Sequence, residues 1–212
     1  MTPQTKTIRG LYAVTPDTAD TDALQAMTQA VLAGGARIVQ YRNKTADATL
    51  RRAQAVALLA LCDRHSALLL VNDHVALAAE IGAHGAHIGG EDGTLAAARD
   101  RLGPDRVIGV SCYRELERGR AAAAGGADYI AFGGFYASTV RPGTAGAPLS
   151  LLTSARAFNR PVVAIGGITP ENAPALVQAG ADAVAVITAL YSAPDIGDAA
   201  RRFCRLFDPV PS

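Results

Sequence analysis

Short apolar runs alternate with longer alanine- and leucine-rich stretches along the whole chain, and this alternation limits the possible folds more than any other feature. The short runs are rich in β-branched residues and have the length of strands, whereas the longer stretches have helical periodicity. Strands are predicted at residues 10–15, 37–41, 67–71, 85–88, 106–110, 128–132, 161–165 and 182–187. Helices are predicted at residues 21–33, 46–64, 73–82, 94–101, 114–124, 148–157, 171–179 and 195–207.

A similar turn signal comes before three of these strands: AGGAR before the second, AGGAD before the sixth and QAGAD before the eighth. Because glycines of this kind mark turns, the echoes indicate repeated βα units. Apolar strands that alternate with helices form a parallel sheet covered by helices, and eight such units close into a barrel. The sequence therefore predicts an α/β fold, a (β/α)8 TIM barrel, with an open doubly wound sheet as the alternative.

No linker or low-complexity segment divides the 212 residues, half of which are apolar, so the chain can bury one large core. A single barrel domain is expected over residues 1–212, with a short lead at 1–9 and a tail at 208–212. Twenty basic residues balance nineteen acidic ones, so no overall field favours nucleic acid or an anionic membrane. Any anion must therefore be bound locally.

The cysteines and the N-terminus suggest a cellular location. Cys62, Cys112 and Cys204 lie far apart and lack CxxC spacing, so they are interpreted as buried or half-buried free thiols. The first residues lack an apolar signal core, and no segment approaches the roughly 18 apolar residues of a membrane span. A cytoplasmic enzyme acting on small molecules is expected, and homo-oligomerisation stays open.

Polar residues and glycines cluster where the predicted strands end, which is the edge of a barrel at which active sites form. They are Gln40, Tyr41, Arg42, Asn43 and Lys44 after the second strand, Asn72 and Asp73 after the third, Asp92 after the fourth, Ser111 after the fifth, the loop 133–146 after the sixth, Gly166, Gly167 and Thr169 after the seventh, and Ile187 and Thr188 after the eighth.

Arg42 and Lys44 are two residues apart, so on an extended segment their side chains point the same way. Gln40, just before them, is a polar residue at the end of an apolar strand. A pair of fixed cations suits a diphosphate, although basic pairs are also common on solvated surfaces. The functional interpretation is preferred here because of Gln40.

The glycine pair Gly166 and Gly167 ends the seventh strand, and a predicted helix follows it. Backbone N–H groups and a helix N-terminus at such a turn can face a phosphate, a site that barrels often build after strands seven and eight. The alternative is a tight turn that only requires positive φ. The position on strand seven, next to Thr188, favours a phosphate site.

Asp73 and Asp92 end neighbouring strands and can converge on one ion. Mg²⁺ binds through one or two carboxylates together with substrate phosphate oxygens. As the alternative, each aspartate can cap the helix that follows it.

The loop 133–146 is long, basic and contains glycine, which is typical of a segment that closes over a substrate. Its Arg141 would add a third cation. Among the histidines only His87, at an inward position late in the fourth strand, is a site candidate, and a hydrogen-bonded core histidine is the preferred interpretation.

These segments together resemble the thiamine phosphate synthase family over nearly the whole chain. The resemblance depends on ordered motifs: GLYAVTPD, VQYRNK, LLLVNDHVALA, GAHGAHIGGED, VIGVSCY, GADYIAFGGFY, VVAIGGITPEN and GADAVAVITAL. It implies a (β/α)8 enzyme that joins hydroxymethylpyrimidine diphosphate to a thiazole phosphate in the presence of Mg²⁺, giving thiamine phosphate and diphosphate. The implied chemistry is dissociative, because the diphosphate leaves before the thiazole nitrogen attacks.

The resemblance also implies roles for individual residues. Arg42, Lys44, Ser111 and Arg141 would be the catalytic residues, and Asp73 and Asp92 the Mg²⁺ ligands. The pyrimidine diphosphate would be held by Gln40, Arg42, Lys44 and Asn72 with Ser111 and Arg141 beside it, and the segment 40–44 adds Tyr41 and Asn43. The thiazole phosphate would be received by Ser138, Thr139, Val140, Gly167, Ile187 and Thr188.

Three positions depart from the family pattern. The family usually has GQED where this chain has Gly90 in place of the amide residue. In the loop after the sixth strand, Val140 replaces a hydroxyl residue and Arg141 replaces lysine. Arginine keeps the charge but presents a planar fork, so the exchange is not neutral. These changes bear on thiazole binding and loop closure more than on the reaction.

Three other functions are open to the same sequence. A thiazole tautomerase shares the barrel and needs no metal, but it has no diphosphate to hold with Arg42 and Lys44. A sugar-phosphate epimerase would need a metal site built from histidines and carboxylates, and the histidines here do not alternate with strand ends in that way. A silent barrel that only binds thiamine precursors would fit Gly90 and Val140.

Overall fold

The predicted strands form a closed parallel barrel in sequence order, with the first strand paired to both the second and the eighth. The structure is a computed structural model that describes residues 7–90, 93–138, 143 and 146–208. The strands are β1 Gly10–Val14, β2 Ile38–Tyr41, β3 Leu68–Asn72, β4 Gly85–Ile88, β5 Val107–Tyr113, β6 Tyr129–Gly133, β7 Val162–Ile165 and β8 Ala183–Val186. The (β/α)8 barrel prediction is confirmed, and the open sheet is excluded.

The helices cover the outside of the barrel and lie close to their predicted positions. They are α1 Thr21–Ala33, α2 Ala48–Arg64, α3 Val75–Ile81, α4 Leu95–Leu102, α5 Leu116–Ala124, α6 Ser150–Ala155, α7 Ala173–Gln178, α8 Thr188–Tyr191 and α9 Ile196–Arg205, with a 3-10 turn at Arg156–Phe158. The short helix α8 was not predicted, because four residues are too few to show a helical period. Strand β5 also extends beyond residue 110, through a register shift between Ser111 and Tyr113.

The repeated turn signal has a common geometric basis. Gly35, Gly126 and Gly180 occupy the same place in the three echoes and have φ of +109°, +90° and +110°. Residues with a Cβ rarely adopt this backbone conformation, so glycine is required there. The alanine that follows each of them is buried at the start of the next strand. The echoes therefore mark the same helix-to-strand turn in three βα units.

Inward and outward side chains of the strands form separate cores. The inward set fills the lower part of the barrel with residues such as Ile38, Leu68, Leu70 and Val107. The outward set packs against the surrounding helices, as Leu69 does beside α2. Above the inward core, at the carboxyl ends of the strands, the interior becomes polar and opens into a cavity. The fold thus places every strand end around one opening.

Across the described part of the chain, no helix combines the length and apolar character needed to cross a membrane.

Candidate functional site

A cavity of about 650 Å³ occupies the carboxyl-terminal end of the barrel. Most of the predicted site residues line it. These are Gln40, Arg42, Lys44, Asn72, Asp73, Ser111, Ser138, Gly167, Ile187 and Thr188. The carboxyl ends of β2, β3, β5, β6, β7 and β8 therefore bring together residues that are up to 148 positions apart in sequence, as the parallel closure of the barrel requires.

Arg42 and Lys44 are held on one side of this cavity by the segment that follows β1. The carboxylate of Asp17 accepts from Arg42 Nη1 at 2.9 Å and from the backbone N–H of Lys44 at 2.8 Å. Thr15 Oγ1 accepts from the backbone N–H of Arg42 at 2.9 Å and donates to its carbonyl at 2.8 Å. Both cations face the cavity from a backbone fixed at each end, so little reordering is needed to bind an anion.

Tyr41 and Asn43 do not reach the cavity, and the placement predicted for them was wrong. Both side chains are buried on the outer side of the sheet against α2. The Tyr41 hydroxyl donates to Gln54 Oε1 at 2.9 Å, and Asn43 Nδ2 donates to the same oxygen at 3.0 Å. Asn43 Oδ1 accepts from the backbone of the turn that leads into α2. These two residues anchor the segment that carries Arg42 and Lys44.

We expect Gln54→Leu to lower the free energy of unfolding by about 2–4 kcal/mol, because it leaves the buried Tyr41 hydroxyl and an Asn43 donor without their shared acceptor. Gln54 is fully buried and also donates to the Thr18 carbonyl at 3.0 Å. Urea unfolding measures the change. The matched control is Gln29→Leu at an exposed position of α1, which should change the free energy of unfolding by less than about 0.5 kcal/mol. Equal losses in both variants would contradict the anchoring role.

Asp73 lies at the cavity beside Lys44, with Oδ2 4.0 Å from Lys44 Nζ. Asp73 is not the N-cap residue of α3, a position that His74 holds, and Thr94 caps α4 with its own side chain. A quarter-exposed carboxylate at the cavity suits a Mg²⁺ ion that also takes phosphate oxygens. Asp92 lies outside the described residues.

Within residues 7–90, 93–138, 143 and 146–208, no group of three or more histidines, cysteines, aspartates or glutamates could hold a metal ion by itself. A Mg²⁺ ion at Asp73 would therefore draw further ligands from the substrate, from water or from residues such as Asp92. The donor chemistry at Asp73 fits Mg²⁺ in this way, with oxygen ligands only.

The turn at Gly166 and Gly167 has no side chains because a second loop approaches it closely. A Cβ on Gly167 would overlap the carbonyl of Ala137, and one on Gly166 would overlap the backbone of Gly134. The two glycines have φ of +62° and +110°. Both glycines also line the cavity. The turn thus brings the loop after β6 to the rim of the cavity, which is a packing reason for the glycines beside the predicted phosphate role.

The helix that starts at this edge of the cavity is α8 and not the one predicted behind the glycine pair. The helix α7 begins only at Ala173, beyond a turn in which Asn172 Oδ1 accepts from the backbone N–H of Thr169 at 2.9 Å. Thr188 is the first residue of α8 and lines the cavity with Ile187. Of the loop after β6, Ser138 lines the cavity, whereas Thr139, Val140 and Arg141 lie outside the described residues.

The floor of the cavity is an interior chain of five hydrogen-bonded side chains: Gln40, Tyr12, Tyr129, His87 and Ser111. Gln40 Nε2 donates to the Tyr12 hydroxyl at 2.7 Å, and the Tyr12 and Tyr129 hydroxyls are 2.7 Å apart. His87 Nδ1 lies 2.8 Å from the Tyr129 hydroxyl, and Nε2 lies 2.8 Å from Ser111 Oγ. His87 is thus a hydrogen-bonded interior residue, as preferred, and it also lines the cavity.

Sequence reasoning missed Tyr12 and Tyr129. It also missed two cavity-lining residues, Tyr113 at the end of β5 and Arg114 just after it. The signal for Tyr12 is its inward position two residues before Val14 in an otherwise apolar strand. Tyr113 and Arg114 were hidden because β5 runs further than predicted.

The cysteines have no part in this cavity. Burial raises the pKa values of Cys62 and Cys112 to about 12, so both remain thiols at neutral pH. Cys204 is half-buried, and burial also raises its pKa. The prediction of buried or half-buried free thiols is confirmed.

Comparison with known proteins relates the barrel and its cavity to one family. A family model described as thiamine monophosphate synthase matches residues 11–190. Thiamine-phosphate synthase of Methylobacillus flagellatus is 52% identical over 201 residues, which cover 95% of this chain and 96% of that protein. The enzyme of the same name from Thioalkalivibrio sulfidiphilus is 50% identical over 210 residues, which cover 98% of this chain and 100% of that protein.

A solved structure shows the same relationship. Thiamine phosphate pyrophosphorylase from Pyrococcus furiosus superposes with a TM-score of 0.82 and 30% identity, over 93% of this chain and 95% of that one. 3-Hexulose-6-phosphate synthase superposes with a TM-score of 0.69 at 18% identity, a likeness of fold alone.

Proposed function

The chain belongs to the thiamine monophosphate synthase family, and we propose that it joins hydroxymethylpyrimidine diphosphate to hydroxyethylthiazole phosphate, releasing diphosphate in a Mg²⁺-dependent reaction. It is therefore a transferase of thiamine biosynthesis, and the resemblance seen in the sequence motifs is confirmed. The metal, the two substrates and the residue roles are the parts that need a test.

One structural observation supports this reaction over the others: Arg42 and Lys44 face the same cavity as Gly167 and Thr188. Two fixed cations with a carboxylate beside them suit a diphosphate and its Mg²⁺ ion. The glycine turn and the threonine hydroxyl on the other side suit a monophosphate. A cavity with one place for each anion is what an enzyme that joins two phosphorylated substrates requires.

In the proposed reaction the bond between the pyrimidine methylene carbon and the diphosphate oxygen breaks first, and its electron pair leaves with the diphosphate. The lone pair of the thiazole nitrogen then forms the new C–N bond, and the positive charge of the methylene cation moves to the thiazolium product. No proton has to be removed from either reacting atom. The protein must therefore supply charge and orientation rather than a general base.

Some of the cavity residues would supply the charge, and others would orient the second substrate. The guanidinium of Arg42, held by Asp17, and the ammonium of Lys44 would neutralise the negative charge that grows on the diphosphate. Mg²⁺ bound at Asp73 and Asp92 would supply further positive charge to the same leaving group. Ser138, Gly167 and Thr188 would hold the thiazole phosphate so that its ring nitrogen lies in line with the methylene carbon.

We expect the purified protein to form thiamine phosphate from the two substrates only when Mg²⁺ is present, because the leaving diphosphate needs the charge of the metal. An end-point assay with and without EDTA measures the product. Isomerisation of a thiazole phosphate without metal would instead indicate the tautomerase. Binding of both substrates without product, with Mg²⁺ present, would indicate the silent barrel.

A further inference from the structure

The interior chain crosses the barrel from β2 to β5 without a gap. It takes one side chain each from β2, β1, β6, β4 and β5, and every step is a hydrogen bond of 2.7 or 2.8 Å. Tyr12 and Tyr129 are the deepest members, with exposed fractions of 1% and 0%. Gln40 and Ser111, at its two ends, line the cavity. This interior chain of hydrogen bonds therefore links the predicted diphosphate side of the cavity with Ser111.

The rings in this chain are fixed by packing as well as by hydrogen bonds. His87 stacks on Tyr129 with centroids 5.6 Å apart and planes inclined by 21°. Tyr12 meets Tyr129 edge-on with centroids 5.9 Å apart. Gly109 of the neighbouring strand leaves the space for the Tyr129 ring, since a Cβ there would overlap the ring.

The direction of the hydrogen bonds follows from the Gln40 end. Gln40 Nε2 can only donate, so the Tyr12 oxygen accepts there, and donation from Tyr12 to the Tyr129 oxygen is the direction that gives both tyrosine protons an acceptor among the five side chains. Tyr129 then donates to His87 Nδ1, which must be the unprotonated nitrogen of the ring. His87 carries its proton on Nε2 and donates it to Ser111 Oγ.

The direction of these hydrogen bonds determines whether Ser111 donates or accepts at the cavity. The Ser111 oxygen accepts from His87, so its own hydroxyl proton is left to donate into the cavity, at the opposite end of the five side chains from the second N–H of Gln40. The tyrosines can hold this direction at neutral pH, because burial raises the pKa values of both well above 10 and keeps them protonated. Hydrogen bonds aligned in one direction also polarise and strengthen one another.

We propose that Tyr12 and Tyr129 are positioning residues that, through His87, fix the Ser111 hydroxyl as a hydrogen-bond donor toward the bound substrate. The inference rests on the proposed function for its kinetic effect, since a directed donor matters where negative charge develops during departure of the diphosphate. The direction of the chain itself is a property of the folded protein and does not depend on which reaction occurs.

The first test is the tautomer of His87, which requires no substrate. We expect ¹⁵N NMR of histidine-labelled protein to show His87 protonated on Nε2, with the signal identified by its loss in His87→Gln. In Tyr129→Phe, which keeps the ring but removes the donor to Nδ1, we expect a mixture of the two tautomers. A His87 ring protonated on Nδ1 in the unmodified protein would overturn the proposal whatever the enzyme's activity.

The second test is a double-mutant cycle on kcat. Tyr129→Phe should lower kcat about tenfold, with KM for both substrates changed less than about twofold, because binding contacts are untouched. In a Ser111→Ala background the same change should have almost no further effect. Equal effects of Tyr129→Phe in both backgrounds would show a merely structural role and overturn the proposal.

The matched control for these variants is Tyr191→Phe, which removes a buried tyrosine hydroxyl from α8 and the outer core. We expect its kcat to match that of the unmodified protein. If Tyr191→Phe lowers kcat as much as Tyr129→Phe does, loss of any buried hydroxyl suffices and the proposal fails. If no variant or parent forms product while the His87 tautomer is as expected, the proposed function fails and the direction of the chain stands.

Discussion

Lys44→Ala is expected to lower kcat about 10²- to 10³-fold, the loss typical of a fixed charge removed from a developing anion. Lys44 Nζ faces the cavity from a backbone held by Asp17, and its side chain is about half exposed. Its pair with Asp73, 4.0 Å away, is too long and too exposed to stabilise the fold by more than about 1 kcal/mol. The urea midpoint should therefore stay nearly unchanged while turnover falls.

Two further variants complete this test. Lys44→Arg keeps the charge but presents a fork, so we expect an activity between those of the parent and of Lys44→Ala. Arg52→Ala on α2 removes an exposed cation that pairs with Glu80 outside the cavity, and its turnover should equal that of the parent. Steady-state kinetics at saturating Mg²⁺ measure all three. Near-normal turnover of Lys44→Ala would remove Lys44 from the catalytic residues.

The barrel was predictable because its information is local and repeated. Short apolar runs that alternate with helical stretches mark the eight strands, and the positive-φ glycines Gly35, Gly126 and Gly180 repeat one turn in three units. The prediction that Arg42 and Lys44 point the same way agrees with the structure, since both line the cavity together with Gln40.

The roles of some residues could not be predicted, because they depend on contacts between segments that are distant in sequence. Tyr41 and Asn43 lie in the same segment as the cavity residues, yet their partner is Gln54 on α2, which no local pattern reveals. Tyr12 and Tyr129 have the pattern of core residues, and only their 2.7 Å contact, between residues 117 positions apart, makes them part of the cavity floor.

The sequence predicted the position of the glycine pair Gly166 and Gly167 but not the contact that requires glycine there. The position of the pair at the end of a strand predicted a phosphate site. Glycine is required there, however, because the backbone of Gly134 and Ala137, in the loop after β6, approaches too closely for a side chain. A phosphate role and a packing role are both open to this turn, which lines the cavity and contacts the loop after β6. A single added methyl group can separate them, because it strikes the loop and leaves the strand intact.

Gly167→Ala is expected to raise KM for the thiazole phosphate at least about tenfold and to lower kcat/KM about 10²-fold. The new Cβ would overlap the Ala137 carbonyl, so the segment that carries Ser138 must shift from its place at the cavity. Because Arg42 and Lys44 are held separately by Asp17, KM for the pyrimidine diphosphate should change less than about twofold. Initial rates with each substrate varied in turn measure both constants.

The matched control is Gly82→Ala at the end of α3. Gly82 has φ of +72°, close to the +62° of Gly167, but a Cβ there meets only the Arg106 guanidinium, at 4.0 Å. It therefore carries the backbone strain of a left-handed alanine, about 1–2 kcal/mol, without the collision. We expect Gly82→Ala to lower the urea midpoint and leave both KM values unchanged. If Gly167→Ala behaves in the same way, the close approach of the two loops has no part in binding the monophosphate, and the turn is required for packing alone.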